Sequence, residues 1–202
     1  MVRTVNNLFI CNKENIVSDE KDSPVSNGLR VIGNDIFFYM GIDDNSAAAL
    51  NLEMTNIVMN SKVDLNTPKQ INLHINSCGG SIDATIAIAD TIRLMVSNGV
   101  QINTIIEGVA LSGGAFMTLY ASNRLIYKNA TVMVHYGKAT YDGGYPVDDY
   151  IGNHFTYKKI LERMMVETTK LSLSEVKKLL TNDQLQMTPA QCLKIGMVDK
   201  II

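Results

Sequence analysis

The segment Gly108-Val109-Ala110-Leu111-Ser112-Gly113-Gly114-Ala115-Phe116 holds the residue combination best suited to chemistry. A serine ends an apolar run, and the glycines after it let the backbone turn sharply into a helix whose first N–H groups lack an intrahelical acceptor. Nucleophilic attack on a carbonyl needs a hydroxyl beside such donors, because they stabilise the oxyanion that forms. The same residues also suit a close-packed helix start with Ser112 as N-cap. The pattern is not a nucleophile elbow, since Ala110 stands where G-x-S-x-G has its first glycine. It is not a phosphate loop either, because no Gly-Lys-Ser/Thr follows.

A second glycine turn, Asn76-Ser77-Cys78-Gly79-Gly80-Ser81-Ile82, also follows an apolar strand and precedes a helix. Two such turns on neighbouring strands would aim their N–H groups at one point; as bland alternatives they are two tight turns. A serine hydroxyl is a weak nucleophile at neutral pH and needs a base. His135, ending the apolar run Val132-Met133-Val134, could reach across to Ser112. His74, between Leu73 and Ile75, reads as a core residue, and His154 as a surface residue of a long helix. No H-E-x-x-H or other ligand spacing occurs, so no metal is expected.

Repeated β-α grammar must position these residues. Arg30 to Met40 is rich in β-branched and aromatic residues and reads as a strand; Asp43-Asp44-Asn45-Ser46 then caps a helix over about 46–61 with Ala48, Leu52, Ile57 and Met59 among its apolar positions. A strand over 71–76 leads to a helix over about 83–97, and a strand over 100–106 leads to a small-residue helix from Gly113 to about Ser122. Strands at 124–127 and 131–135 follow. This order predicts an α/β fold with largely parallel strands and right-handed crossovers. The longest helical stretch, about 148–170, extends beyond that core and suits packing on another subunit. A capped helix at about 174–181 and a small helix after Pro189 complete the chain.

The chain has 202 residues, 46% of them apolar and 19% charged, which suits one globular domain able to bury a core without staples. Residues 1–27 form a polar arm, expected to be mobile or ordered by a partner. Three cysteines, Cys11, Cys78 and Cys192, argue against a disulfide framework and suit a reducing compartment. A formal charge of -2, with no basic block longer than Lys158-Lys159 or Lys177-Lys178, argues against nucleic-acid binding. No apolar leader and no membrane-length apolar run is present, so a cytoplasmic location is expected.

From about Gly28 to Ile202 the chain resembles the Clp family of serine peptidases, the proteolytic subunits of ATP-dependent Clp proteases. The resemblance rests on Ile75-Asn76-Ser77-Cys78-Gly79-Gly80-Ser81, Gly108 to Phe116, Val132-Met133-Val134-His135, and the ending Met187-Thr188-Pro189-Ala190-Gln191 with Ile195-Gly196-Met197-Val198-Asp199. It implies a crotonase-like spiral of repeated β-β-α units with a protruding long helix. Ser112 would be the nucleophile and His135 the general base, with the N–H groups of Gly80 and Gly113 as the oxyanion hole. It further implies two stacked heptameric rings interleaved through the helix at about 148–170, polypeptide substrates, and an AAA+ unfoldase that uses the ATP. The chain itself would need no cofactor.

The sequence departs from the family at three points. Cys78 replaces a usual proline, Gly113 replaces a usual methionine, and Leu179 stands where the triad aspartate belongs, with Asp183 four residues on as the alternative acid. Two readings follow: Asp183 serves His135 and the enzyme is active, or the pair is unsupported and the chain is a weak or structural ring subunit. Acyl-CoA hydratases and isomerases share the implied fold and a similar glycine turn. They need a carboxylate instead of a Ser-His pair, and no glutamate lies in the stretch from Gly113 to Ser122.

Overall fold

The computed structural model describes residues 28–60, 69–137, 147–182 and 185–202, with the backbone alone for 147–154. The polar arm at 1–27 and Asp183 lie outside the described residues, as does the side chain of His154.

A seven-stranded sheet organises the chain, in the order β1-β2-β3-β4-β5-β7 with β6 paired to β4. The strands are β1 (Leu29–Ile32), β2 (Asp35–Phe38), β3 (Gln70–Ser77), β4 (Gln101–Leu111), β5 (Asn123–Ile126), β6 (Thr131–Met133) and β7 (Lys200–Ile201). Among the described strands, β1 runs antiparallel to β2 and the other strand pairs are parallel. The helices are α1 (Asp44–Asn60), α2 (Ile82–Ser97), α3 (Gly113–Phe116), α4 (Val147–Thr168), α5 (Leu173–Thr181) and α6 (Pro189–Ile195). The result is the mixed α/β fold with a mostly parallel sheet that the strand-helix alternation predicts.

Period-two alternation splits β3 between two environments. Ile71, Leu73 and Ile75 are fully buried, whereas Asn72 and His74 face the other way. On that second face Asn103 Nδ2 donates to Asn72 Oδ1 at 2.8 Å and Asn123 Nδ2 to Asn103 Oδ1 at 2.7 Å, a ladder that follows the strand register. His74 is therefore not a core residue. Its ring bridges Glu107 at 2.7 Å and Asp35 at 3.2 Å and stacks on Phe37, because the apolar neighbours flanking it in sequence point to the opposite face.

Three further expectations need correction. The predicted strand at 30–40 is a hairpin, β1 and β2, turning at Gly33 with φ +62°. Helix α1 buries Ala47, Leu50, Met54 and Ile57, a continuous stripe at spacings of three and four; Leu52 and Met59 lie off it and are 58% and 75% exposed. Helix α3 is a single turn, continued by hydrogen bonds from Thr118, Leu119 and Ala121 to the carbonyls three residues back, so only its start is α-helical.

The remaining caps follow sequence chemistry. Asp43 and Ser46 exchange backbone-to-side-chain bonds at the start of α1, Ser172 and Glu175 form a capping box on α5, and Thr188 and Gln191 form one on α6. Among the described residues no helix is long and apolar enough to cross a membrane.

Candidate active site

Strand β4 carries the site because it serves two neighbours in succession. Residues 103–106 pair with β5 and residues 109–111 with β6, so its far end projects beyond β5 and β6 lies beside it. Against β3 the register breaks between Ile75 and Ser77, and there Asn76 Oδ1 accepts the Val109 N–H at 3.1 Å. The side chain supplies an acceptor that the interrupted ladder does not, allowing β4 to advance past β3 before it turns.

At that turn Ser112 adopts φ +51° and ψ -123°, the only non-glycine positive φ among the described residues. Such backbone costs on the order of 1–3 kcal/mol and persists where its surroundings fix it. Here the Ser112 N–H donates to Met133 O at 2.7 Å, and Ala115 N–H closes onto Ser112 O at 2.9 Å. The conformation is the sharp strand-to-helix turn of a nucleophile elbow, although the sequence lacks that motif's first glycine. Ala110 fills its place at no exposed surface, because the small methyl fits where the β3 and β4 backbones run close.

Ser112 is not the side-chain N-cap of α3: it makes no capping bond. Its Oγ instead lies 2.9 Å from His135 Nε2. The imidazole is brought there by β6, since Met133 is anchored to Ser112 and Val132 exchanges hydrogen bonds with Met187 at 3.1 and 2.7 Å. His135 follows two residues later. Both side chains are partly buried, so the pair is shielded yet reachable.

The two glycine turns meet at this point. A Cβ on Gly79 would lie 2.5 Å from Leu111 O and 2.8 Å from Gly113 N, so the absence of a side chain there permits the contact. Gly79 and Gly80 take φ +84° and +156°, and Ile42 pairs across Gly80 through Ile42 N–H to Gly79 O at 2.9 Å and Ser81 N–H to Ile42 O at 2.8 Å. Among the described residues, neither the Gly80 nor the Gly113 N–H has a backbone acceptor outside its own helix or strand. The arrangement offers two N–H donors near a hydroxyl already in contact with an imidazole, which is chemically competent for acyl transfer.

The structure also explains one departure and localises another. A Cβ at residue 113 would lie 2.2 Å from Thr85 Oγ1, so the buried Thr85, itself bonded to Ser81 O at 2.7 Å, occupies the space a larger side chain would need. Leu179 packs against the hydrophobic core as its apolar character requires. The end of α5 nevertheless approaches the site, because Tyr136 N–H donates to Leu180 O at 3.1 Å. Thr85, Asn76 and Tyr136 were not singled out by sequence; nothing in their spacing distinguishes them from ordinary helix, strand and loop residues.

Among the described residues no group of three or more His, Cys, Asp or Glu could hold a metal ion. Fold and side chains together define an α/β protein with a Ser-His centre at the far end of a mostly parallel sheet. The model of the Clp protease family matches residues 30–202, and the chain belongs to that family. The family's fold is crotonase-like, and its members are serine peptidases that generally form oligomeric rings and work with unfoldases.

Proposed function

We propose that the protein is a serine endopeptidase that cleaves unfolded polypeptides or short peptides inside a ring assembly. The observation that carries this reading is the 2.9 Å contact between His135 Nε2 and Ser112 Oγ, made by a serine in a strained turn. Ser112 Oγ attacks the scissile carbonyl as its proton passes to His135, and the oxyanion is received by the N–H groups of Gly80 and Gly113. Collapse breaks the C–N bond and the amine leaves with the proton from His135; water then releases the acyl group by the same steps. Asp183 is the acid that orients the imidazole, a role supported by its position three residues beyond Leu180, whose carbonyl takes the Tyr136 N–H.

The assembly belongs to the same reading. Residues 28–202 form the peptidase domain, two heptameric rings stack through α4, and the arm at 1–27 meets an AAA+ unfoldase that consumes the ATP. Phe155 on α4, 59% exposed in the single chain, suits burial against a second ring. The protein acts in the cytoplasm and needs no cofactor of its own. One observation favours a second reading, a weakly active or structural ring subunit: Leu179 is a half-buried apolar side chain packed against the core and supplies no carboxylate. The Ser-His contact weighs against the acyl-CoA class, which has no use for it.

Fluorophosphonate labelling read by intact mass separates these readings. Oγ–P bond formation expels fluoride and sends the hydroxyl proton to His135. Wild type should take one label that Ser112→Ala abolishes, and hydrolyse short peptides that the variant leaves intact. An assembled ring that takes no label would overturn the peptidase reading in favour of the structural subunit.

A further inference from the structure

Tyr136 follows the imidazole directly, and contacts from two helices hold it. Its N–H donates to Leu180 O at 3.1 Å, and its hydroxyl donates to Glu162 Oε1 at 2.7 Å. The Lys158 ammonium sits 5.0 Å from its ring centroid. Glu162 in turn faces Lys177 Nζ at 3.8 Å, so α4 and α5 are joined through the residue next to His135. The Glu162 side chain is 14% exposed; a carboxylate so enclosed needs partners, and the Tyr136 hydroxyl is the closer of the two. Burial, with the Glu162 bond second, pushes the Tyr136 hydroxyl well above its usual range, so it remains a donor at any working pH.

An imidazole that serves as general base must hold one orientation, and the chain around it is pinned on both sides. Met133 O is fixed by the Ser112 N–H two residues before His135, and Tyr136 is fixed one residue after it. The Tyr136 hydroxyl brings the carboxylate of Glu162 to this segment. We propose that Glu162 is a positioning residue for His135 and acts through the hydroxyl of Tyr136. The proposal deepens the serine-peptidase reading and rests on it.

The same helix makes two more bonds of this kind, Tyr120 to Glu167 at 2.8 Å and Tyr157 to Asp83 at 2.6 Å. Neither touches a neighbour of the imidazole. Tyr120→Phe therefore measures what losing one such bond on α4 does by itself, whereas Tyr136→Phe removes a single oxygen beside His135.

The experiment is the saturation kinetics of fluorophosphonate labelling, which gives a maximal rate and a probe-binding constant for each variant. Tyr136→Phe and Glu162→Ala are expected to lower the maximal rate more than about tenfold and leave probe binding unchanged, since a small misplacement of a reacting group is costly. Glu162→Gln keeps an acceptor for the hydroxyl and should restore most of the rate. Tyr120→Phe should stay within about twofold of wild type. If Glu162→Ala does not fold, Tyr136→Phe alone decides. A Tyr136→Phe rate within about twofold of wild type, or an equal fall in Tyr120→Phe, overturns the positioning role while the peptidase reading stands. A wild type that takes no label overturns both.

Discussion

The backbone N–H of Tyr136 is bonded to the carbonyl of Leu180, 3.1 Å away, which ties the last turn of α5 to the residue after the imidazole. Asn182, the C-cap of α5, follows two residues after that contact. On the proposed role of Asp183 as the orienting acid, Asp183→Asn is expected to lower kcat by about 10²–10⁴ with little change in KM, the effect of losing a carboxylate that fixes the tautomer of a catalytic imidazole. Leu179→Ala should cost roughly 1–3 kcal/mol of stability and spare kcat, as befits an apolar side chain packed on the core. Peptide hydrolysis and urea unfolding of the two variants would check this; the opposite pattern would make residue 179 the functional position.

Gly80→Ala tests the proposed oxyanion donor. Its Cβ would stand 2.0 Å from Ile42 O at φ +156°, so the turn must shift and carry its N–H with it. A fall of about 10²–10³ in kcat is expected, the usual cost of one lost donor. Unfolding should remain cooperative while the rate is lost; unchanged kcat in a folded variant would remove Gly80 from the site.

Gly113 and Thr85 should be energetically coupled. Gly113→Ala alone drives a Cβ to 2.2 Å from Thr85 Oγ1, and Thr85→Ala alone forfeits the bond to Ser81 O at 2.7 Å. Overpacking of this kind costs about 1–3 kcal/mol, and the lost bond about 1. In the double variant the clashing oxygen is gone, so the combined loss should be smaller than the sum by roughly 0.5–3 kcal/mol in a urea-unfolding cycle. Strict additivity would show that Thr85 does not limit the residue at 113.

Asp199 supplies a pH dependence away from the site. Burial works to raise its pKa, but hydrogen bonds from the Arg124 side chain and backbone, with the charges of Arg124 and Lys170, hold it below the usual carboxylate range. A depressed carboxylate stabilises the folded state fully above its unfolded pKa and loses that contribution as pH falls through the lower folded value. Half-exposed as it is, the group contributes no more than about 1 kcal/mol after solvent screening. Asp199→Asn should thus lower Tm at pH 7, and the gap to wild type should close under strongly acidic conditions. A gap that widens with acid would contradict the assignment.

Local patterns were legible where one physical cause dominated. The long amphipathic stretch at 148–170 became α4 at Val147–Thr168, since a 3.6-residue period over that length admits no competing element. The cap at Ser172 with Glu175 follows from side chains that answer the orphan donors of a helix start. Where neighbours decide, local sequence carries no signal. His74 has apolar residues on both sides, yet alternation sends it to Glu107 and Asp35. In α1, apolar residues occur on more than one face, and packing selected Ala47, Leu50, Met54 and Ile57 as the stripe to bury. The turn at Gly33 leaves no local mark, because an apolar run continues on either side of it.

The sequence alone determined the α/β alternation, the two glycine turns, and the presence of a serine and a histidine at strand ends, because these depend on residue type and short-range spacing. The tertiary structure decided that Ser112 would take a strained turn without the expected first glycine, and that Thr85 would stand where a side chain at 113 belongs. It also decided that Glu162, twenty-six residues from Tyr136, would hold the hydroxyl next to His135. Those facts depend on how β4 is shared between β5 and β6 and on where α4 and α5 return to the sheet. Contacts between residues so distant in the chain are set by the packing of whole elements, for which no local pattern of residues carries a signal.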